Sequence, residues 1–141
     1  MILSLKQAQN IALRTLKAGA EKGLKPLCVA VLDPGGHTIV LHRADGASHL
    51  RPAIAIAKAA GALNLGVSSR SIAAIAAERP TFFNSLVGIA PLGMVPAAGG
   101  VIVVDSDGQT LGAVGVTGDT SDNDEACALA GIEEANLFAK D

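Results

Sequence analysis

Three basic residues in the middle of the chain have the spacing of an anion-binding surface. Arg51 and Lys58 lie seven residues apart, so they share one face if this segment is helical. Together with Arg43 upstream, their guanidinium and ammonium groups can hold a carboxylate or a dicarboxylate. His49 comes just before Arg51, and an imidazole exchanges protons near neutral pH. The group predicts a site for an anionic ligand, with His49 as the acid or base if the protein is an enzyme.

A run of acids near the C-terminus bears on the same basic residues. Its members are Asp119, Asp122, Asp124 and Glu125. They precede and open a predicted helix, where each acid of the first turn stabilises the helix by about 0.3–1 kcal/mol. Four acids exceed what this effect requires. They either pair with Arg51 and Lys58 and so lock two helices together, or line a ligand pocket with them, and the sequence leaves both interpretations open.

The residues that precede this acidic run complete the candidate pocket. The hydroxyl of Thr117 and the amide of Gly118 stand at the end of a predicted strand, where both can bind a ligand oxygen. Asp124 is the second candidate for proton transfer if the protein is an enzyme. Ligand-binding roles are therefore predicted for Arg43, Arg51, Lys58, Thr117, Gly118, Asp119, Asp122 and Glu125.

Composition argues against several other functions. The 141 residues carry a net charge of −2 and only 2% aromatic residues, so the basic face and stacking rings of a nucleic-acid binder are missing. No apolar stretch reaches the 18 residues that a membrane-spanning helix needs. The predicted partner is a small molecule, with neither nucleic acid nor membrane.

The cysteines and histidines predict neither a disulfide nor a metal site. Cys28 and Cys127 lie far apart and form no CxxC motif, which favours two reduced thiols. With no secretory signal at the N-terminus, we expect a cytoplasmic protein. His37, His42 and His49 lack the spacing for an intrachain metal site, although haem needs a single axial histidine.

Hydrophobic periodicity predicts an α+β fold with an antiparallel sheet. Helices are predicted over residues 4–22, with a capping box at Ser4 and Gln7, from a cap at Ser48 to about 62, from 68 or 69 to 77, over 82–87, and from 121 onward. Strands are predicted over 27–32, 37–42, 101–104 and 110–116. The strands come in hairpin pairs, which is typical of antiparallel α+β proteins. The two hairpins resemble each other at an offset of 72 residues, by chance or by repetition.

Six segments of the chain carry a further signal when they are taken in order: 29–36, 43–47, 54–59, 99–103, 111–118 and 124–131. Together they resemble the GlcG/HbpS-type family, which includes the C-terminal domain of PduO-like proteins. The resemblance covers about residues 4–132. It implies a single domain over residues 1–141 with a profilin-like fold, in which helices flank a five-stranded antiparallel sheet.

The resemblance also implies homo-oligomers, from dimers to octamers, and a place in catabolic operons. Some members bind haem or cobalamin-related ligands. PduO-type haem coordination is associated with an N-terminal histidine, and the first predicted helix here has none. We expect an oligomeric small-molecule or cofactor-binding protein, with haem as a candidate, associated with a catabolic pathway. The alternative is an enzyme that acts on a small carboxylated, ring-opened intermediate.

Overall fold

Antiparallel pairing joins five strands in the order β2-β1-β4-β3-β5. The computed structural model describes residues 2–140. Its elements are α1 (Leu5–Glu21), β1 (Cys28–Leu32), β2 (Thr38–Arg43), α2 (Arg51–Leu65), α3 (Ser69–Glu78), α4 (Pro80–Val87), β3 (Gly100–Val104), β4 (Thr110–Thr117), α5 (Ser121–Glu134) and β5 (Phe138–Ala139). The predicted α+β class and the five-stranded antiparallel sheet are confirmed. Within residues 2–140 no helix is long and apolar enough to span a bilayer.

Two helix starts differ from their predictions, and proline explains both. Ser4 and Gln7 form the predicted capping box on α1. Ser48 does not cap α2, which begins at Arg51 after Leu50. A helix capped at Ser48 would need its first backbone hydrogen bond from residue 52 to the Ser48 carbonyl, and Pro52 has no N–H to donate. The bond from the Ile54 N–H to the Leu50 carbonyl takes its place. The helix predicted from 82 begins at Pro80, because proline suits the first turn of a helix.

The fifth strand could not be found from periodicity. β5 has two residues, Phe138 and Ala139, which pair with Val104 and Val103 at the edge of the sheet. A strand of two residues carries no alternating pattern. It was expected from the family resemblance and not from the residues themselves.

Helices cover both faces of the sheet. Side chains on alternate strand positions point to opposite faces. Valines such as Val29 and Val116 face α1 and α5, while Ala30 and Ala113 face α2. The α2 face is built for close approach: a Cβ on Gly115 would lie 1.9 Å from the carbonyl oxygen of Ala55. The backbone of α2 therefore rests directly on β4. This packing places the polar residues of α2 at the end of that strand.

The two hairpin turns have the same hydrogen bonds and lie together at one end of the sheet. The Oδ1 of Asp33 accepts from the amides two and four residues later, and the Oδ1 of Asp105 does the same. Both β1 and β3 are antiparallel to β4, so they run in the same direction. The candidate residues at 43, 51 and 117 lie at the opposite end of the sheet.

Candidate functional site

A buried ion pair stands where β4 ends and β3 begins. The Nζ of Lys58 lies 3.3 Å from the Oδ2 of Asp124 and donates at 2.9 Å to each of two carbonyl oxygens, those of Ala98 and Val116. The side chains of Lys58 and Asp124 are 3% and 2% exposed. An ammonium has three N–H donors, and each has an acceptor here.

The second oxygen of Asp124 is also occupied. Its Oδ1 accepts from the backbone N–H of Asp119 at 3.0 Å. Burial raises the pKa of Asp124 and lowers that of Lys58, while the attraction between the two charges opposes both shifts. The pair connects α2, α5 and the loop before α5. Neither side chain presents a free polar atom to solvent.

Arg51 forms a second contact between α2 and the end of β4. It is the first residue of the helix, and its Nη1 donates to the Oγ1 of Thr117 at 2.7 Å. Thr117 is 1% exposed, whereas Arg51 is half-buried. A guanidinium carries five N–H donors. Within residues 2–140 this is the one hydrogen bond found for the Arg51 side chain, so its other donors can serve a ligand.

A row of paired residues extends the site across three strands. Cys28 pairs with Arg43 on one side and with Thr117 on the other, so the three side chains share the α2 face. The Arg43 side chain is exposed and forms no hydrogen bond with any described residue. Cys28 is fully buried, and burial raises the pKa of its thiol to about 11. That thiol remains protonated at neutral pH.

His49 lies in the turn immediately before α2 and is exposed. Two exposed apolar side chains are near these residues in sequence. Leu50, between His49 and Arg51, is 64% exposed, and Leu41, two residues before Arg43, is 39% exposed. Leu41 lies on the same face of β2 as Arg43, because the two are two residues apart. We call Leu41, Arg43, His49, Leu50 and Arg51 the cationic end. It combines two guanidiniums, one imidazole and apolar surface.

Asp119, the acid nearest the end of β4, is held by hydrogen bonds from two backbone N–H groups and one side-chain amide. The carboxylate of Asp119 accepts from the N–H of Lys25 at 3.0 Å, from the N–H of Thr120 at 2.8 Å and from the Nδ2 of Asn123 at 2.7 Å. These hydrogen bonds, led by that from Asn123, lower the pKa of Asp119 to about 2. Asp119 therefore fixes the loop before α5.

The remaining acids bind a residue that sequence reasoning missed. Arg70, near the start of α3, donates to Asp122 and to both oxygens of Glu125. The side chains of Arg70 and Asp122 are 53% and 82% exposed. Residues 1–79 carry an excess of basic residues and residues 80–141 an excess of acids. This complementarity was the one available signal, and it does not select Arg70 among the other basic residues.

The chain matches a family model described as haem degrading protein HbpS-like, over residues 3–133. It belongs to the HbpS-like family. None of the curated proteins compared with it matches.

Solved structures with the same fold accompany this match. HbpS is 30% identical with a TM-score of 0.81, and the alignment covers 94% of this chain and 89% of HbpS. Klebsiella pneumoniae ORFY is 26% identical with a TM-score of 0.85, and the alignment covers 95% of this chain and 90% of ORFY. PduOC in complex with haem is 19% identical with a TM-score of 0.88 and full coverage of both chains, which shows a shared fold.

In this HbpS-like chain, the two basic residues of α2 have different partners. Lys58 pairs with an acid, Asp124, and joins α2 to α5. Arg51 instead bonds the hydroxyl of Thr117 and remains partly exposed. Asp122 and Glu125 contact neither of these residues and bind Arg70.

Gly118 has a packing role that the sequence did not indicate. Its φ is +137°, and a Cβ there would lie 2.3 Å from the carbonyl oxygen of Pro26. The residue is buried against the segment that leads into β1. Two further contacts were also missed: the carbonyl of Ala98 on Lys58, and the Oγ of Ser69, which accepts from the N–H of Gly100 at 2.6 Å. Carbonyl acceptors have no signature in a sequence.

Proposed function

We propose that this HbpS-like protein binds a small molecule that carries carboxylates, and that the ligand contacts the cationic end. The observation that carries the proposal is the state of Arg51. Its guanidinium is held by a buried hydroxyl, while its remaining donors lie at a half-buried surface. The exposed Arg43 stands two strands away in the same row of paired residues. Two guanidiniums, one of them fixed, suit a dicarboxylate, because each binds a carboxylate through two parallel hydrogen bonds.

Haem is the first candidate ligand, and the donor set of the cationic end suits it. Haem needs an axial ligand for its iron, cations for its two propionates and apolar contact for its ring. The cationic end offers the imidazole of His49, the guanidiniums of Arg43 and Arg51, and exposed Leu41 and Leu50. The family description, haem degrading protein HbpS-like, supports the same ligand.

Each residue would then have a distinct task. Arg51 and Arg43 would orient the carboxylates, the imidazole of His49 would hold the iron, and the two leucines would shield the ring from water. When bound, haem supplies redox chemistry at its iron. Thr117 contributes through Arg51, since its hydroxyl is buried and already accepts from that guanidinium.

Titration with haemin, followed by its Soret absorbance, tests the proposal. We expect saturable binding to the unmodified protein and about 10- to 100-fold weaker binding to Arg51→Ala, the range expected for lost hydrogen bonds between charged groups. Haemin dimethyl ester, which lacks free carboxylates, should bind both proteins equally weakly. The proposal is wrong if Arg51→Ala binds haemin as tightly as the unmodified protein does.

The axial role of His49 has its own control. Replacement of His49 by Ala should shift the Soret band, because the iron loses its nitrogen ligand. His37 is also exposed, but it lies in the hairpin turn at the opposite end of the sheet. His37→Ala should leave the spectrum unchanged. A band that is unaffected in His49→Ala would remove His49 from the site.

The second candidate function is an enzyme that acts on a small carboxylated, ring-opened intermediate. It is favoured by the exposed His49 beside Arg51, since an imidazole near a substrate anchor can move protons. Asp124 is less suited to that role because it is buried and both of its oxygens are hydrogen-bonded. A thermal-shift screen of small dicarboxylates tests this function, and a hit should be lost in Arg51→Ala but retained in His49→Ala.

We further propose a cytoplasmic homo-oligomer, from dimer to octamer, in a catabolic pathway. The described cysteines are free and buried, which suits a reducing compartment. Apolar side chains along α4 and the following loop support association: Phe82, Val87, Ile89 and Leu92 are 39%, 46%, 77% and 58% exposed. Light scattering of the purified protein measures the oligomer directly, and a monomer at micromolar concentration would contradict it.

A further inference from the structure

We infer that Lys58 is a positioning residue for the ligand site: it sets the place of Arg51 and Thr117 and does not itself contact the ligand. The inference rests on the proposed function and assigns Lys58 a different task within it. The sequence places Lys58 with Arg51 as a second anion-binding group. The geometry separates the two roles, because one cation is partly exposed and the other is enclosed.

No room remains for a ligand atom at the Lys58 ammonium. All three of its N–H donors have protein acceptors, one carboxylate and two carbonyls. Gly99, at φ +128°, closes the remaining side: a Cβ there would lie 2.9 Å from the Nζ of Lys58 and 2.4 Å from the carbonyl oxygen of Val116. Even a methyl group does not fit next to this ammonium.

The contacts of Lys58 bear directly on the partner of Arg51. Lys58 binds the carbonyl of Val116, and Arg51 binds the hydroxyl of the next residue, Thr117. The helix is thus attached to consecutive residues of β4 at two points, seven residues apart along α2. Without Lys58, the buried carbonyl of Val116 loses a donor, and the strand end that holds the Arg51 guanidinium is no longer fixed.

Asp124 completes this attachment from the other face of the sheet. It binds Lys58 through one oxygen and the N–H of Asp119 through the other. The segment 116–119 is therefore held at both ends, by Lys58 at Val116 and by Asp124 at Asp119. A ligand site that uses a fixed guanidinium depends on such support, since small displacements weaken bidentate contacts. The pair therefore affects ligand affinity through geometry.

The test compares haemin with haemin dimethyl ester on Lys58→Met and on the double variant Lys58→Met with Asp124→Asn. The double variant leaves no unpaired buried charge, and Asn keeps an oxygen for the Asp119 N–H, so we expect it to stay folded even if the single variant unfolds. We expect affinity for haemin to fall about tenfold, with little change for the ester, because the ester does not use the guanidiniums. A general loss of structure would weaken both ligands alike.

Ile132→Ala is the matched control. Ile132 is buried in α5, far along the helix from Asp124, and its truncation destabilises the fold without touching the strand end. It should lower the melting temperature and leave the ratio of the two affinities unchanged. Unaltered haemin affinity in the double variant overturns the inference even if Arg51→Ala confirms the site. If Arg51→Ala itself has no effect, the proposed function is what fails.

Discussion

Two groups of opposite charges tie α5 to the helices that precede it in the chain, and they differ in almost every physical respect. Lys58 and Asp124 are 3% and 2% exposed, and every polar atom of the pair has a partner. Arg70 and Asp122 are 53% and 82% exposed, and Glu125 completes that second group at 19%. The same attraction between charges therefore operates in two very different surroundings.

The difference shows that charge pairing and structural importance are separate properties. Removing one partner from a buried pair leaves an unpaired charge in a poorly polarisable interior, which costs about 3–5 kcal/mol. Breaking an exposed pair costs about 0–1 kcal/mol, because water and salt already screen it. The buried pair fixes where the strand end lies, while the exposed group adds charge complementarity at the surface.

The largest effect is expected from Asp124→Ala. The ammonium of Lys58 would stay buried without its counter-charge, and the N–H of Asp119 would lose its acceptor. We expect the free energy of unfolding to fall by about 3–5 kcal/mol. Urea unfolding followed by far-UV circular dichroism measures it, because the chain has no Trp or Tyr for fluorescence.

The double variant described above is its control. Since Lys58→Met with Asp124→Asn leaves no buried charge, it should lose clearly less stability than Asp124→Ala, although it removes more hydrogen bonds. Equal losses in the two proteins would mean that hydrogen bonds, and not the isolated charge, dominate at this position. The contrast between the buried and exposed groups would then need another explanation.

Asp119 is an intermediate case, in which a carboxylate is stabilised by hydrogen-bond donors without a close cation. Its pKa is lowered to about 2, below the ordinary value of 3.8, so the ionised form is favoured in the folded protein. This contribution to stability is present above about pH 4 and is lost as the pH falls towards 2. Asp119→Asn should reduce stability at pH 7 and flatten its decline between pH 4 and 2.

Unfolding by urea at several pH values between 7 and 2 measures that dependence. Asp107→Asn is a suitable control, because Asp107 lies in the exposed hairpin turn at the other end of the sheet and its carboxylate accepts no hydrogen bond from a described residue. It should retain the steep acid dependence. If Asp119→Asn loses stability in acid as steeply as the unmodified protein, the carboxylate of Asp119 does not carry the effect.

Local sequence patterns predict the elements of this fold well and the contacts between them poorly. The capping box at Ser4 and the four longer strands follow from residues that are close in sequence. The cap predicted at Ser48 fails because Pro52 removes a donor, which is also a local effect. β5 is missed because two residues are too few to form a pattern.

In the candidate site, too, the local arrangement was predicted and the long-range contacts were not. The seven-residue spacing correctly places Arg51 and Lys58 together against β4. Spacing cannot indicate that one of them is enclosed, because the enclosure comes from the carbonyl of Ala98 and the close approach at Gly99, more than 30 residues away along the chain. Arg70 was missed for a similar reason: its partners are 52 and 55 residues distant.

The smallest effect is expected from Arg70→Ala, which tests the exposed side of the comparison. Hydrogen bonds to Asp122 and Glu125 raise the pKa of Arg70, but its guanidinium is about half exposed. We expect the free energy of unfolding to fall by no more than about 1 kcal/mol in dilute buffer. In 1 M NaCl the Debye length is about 3 Å, so the difference from the unmodified protein should become smaller still. Asp124→Ala should keep most of its loss in the same salt, because buried charges are poorly screened. A loss of about 3 kcal/mol in Arg70→Ala that persists in high salt would show that this surface group, and not the buried pair alone, fixes α5 beside the proposed ligand site.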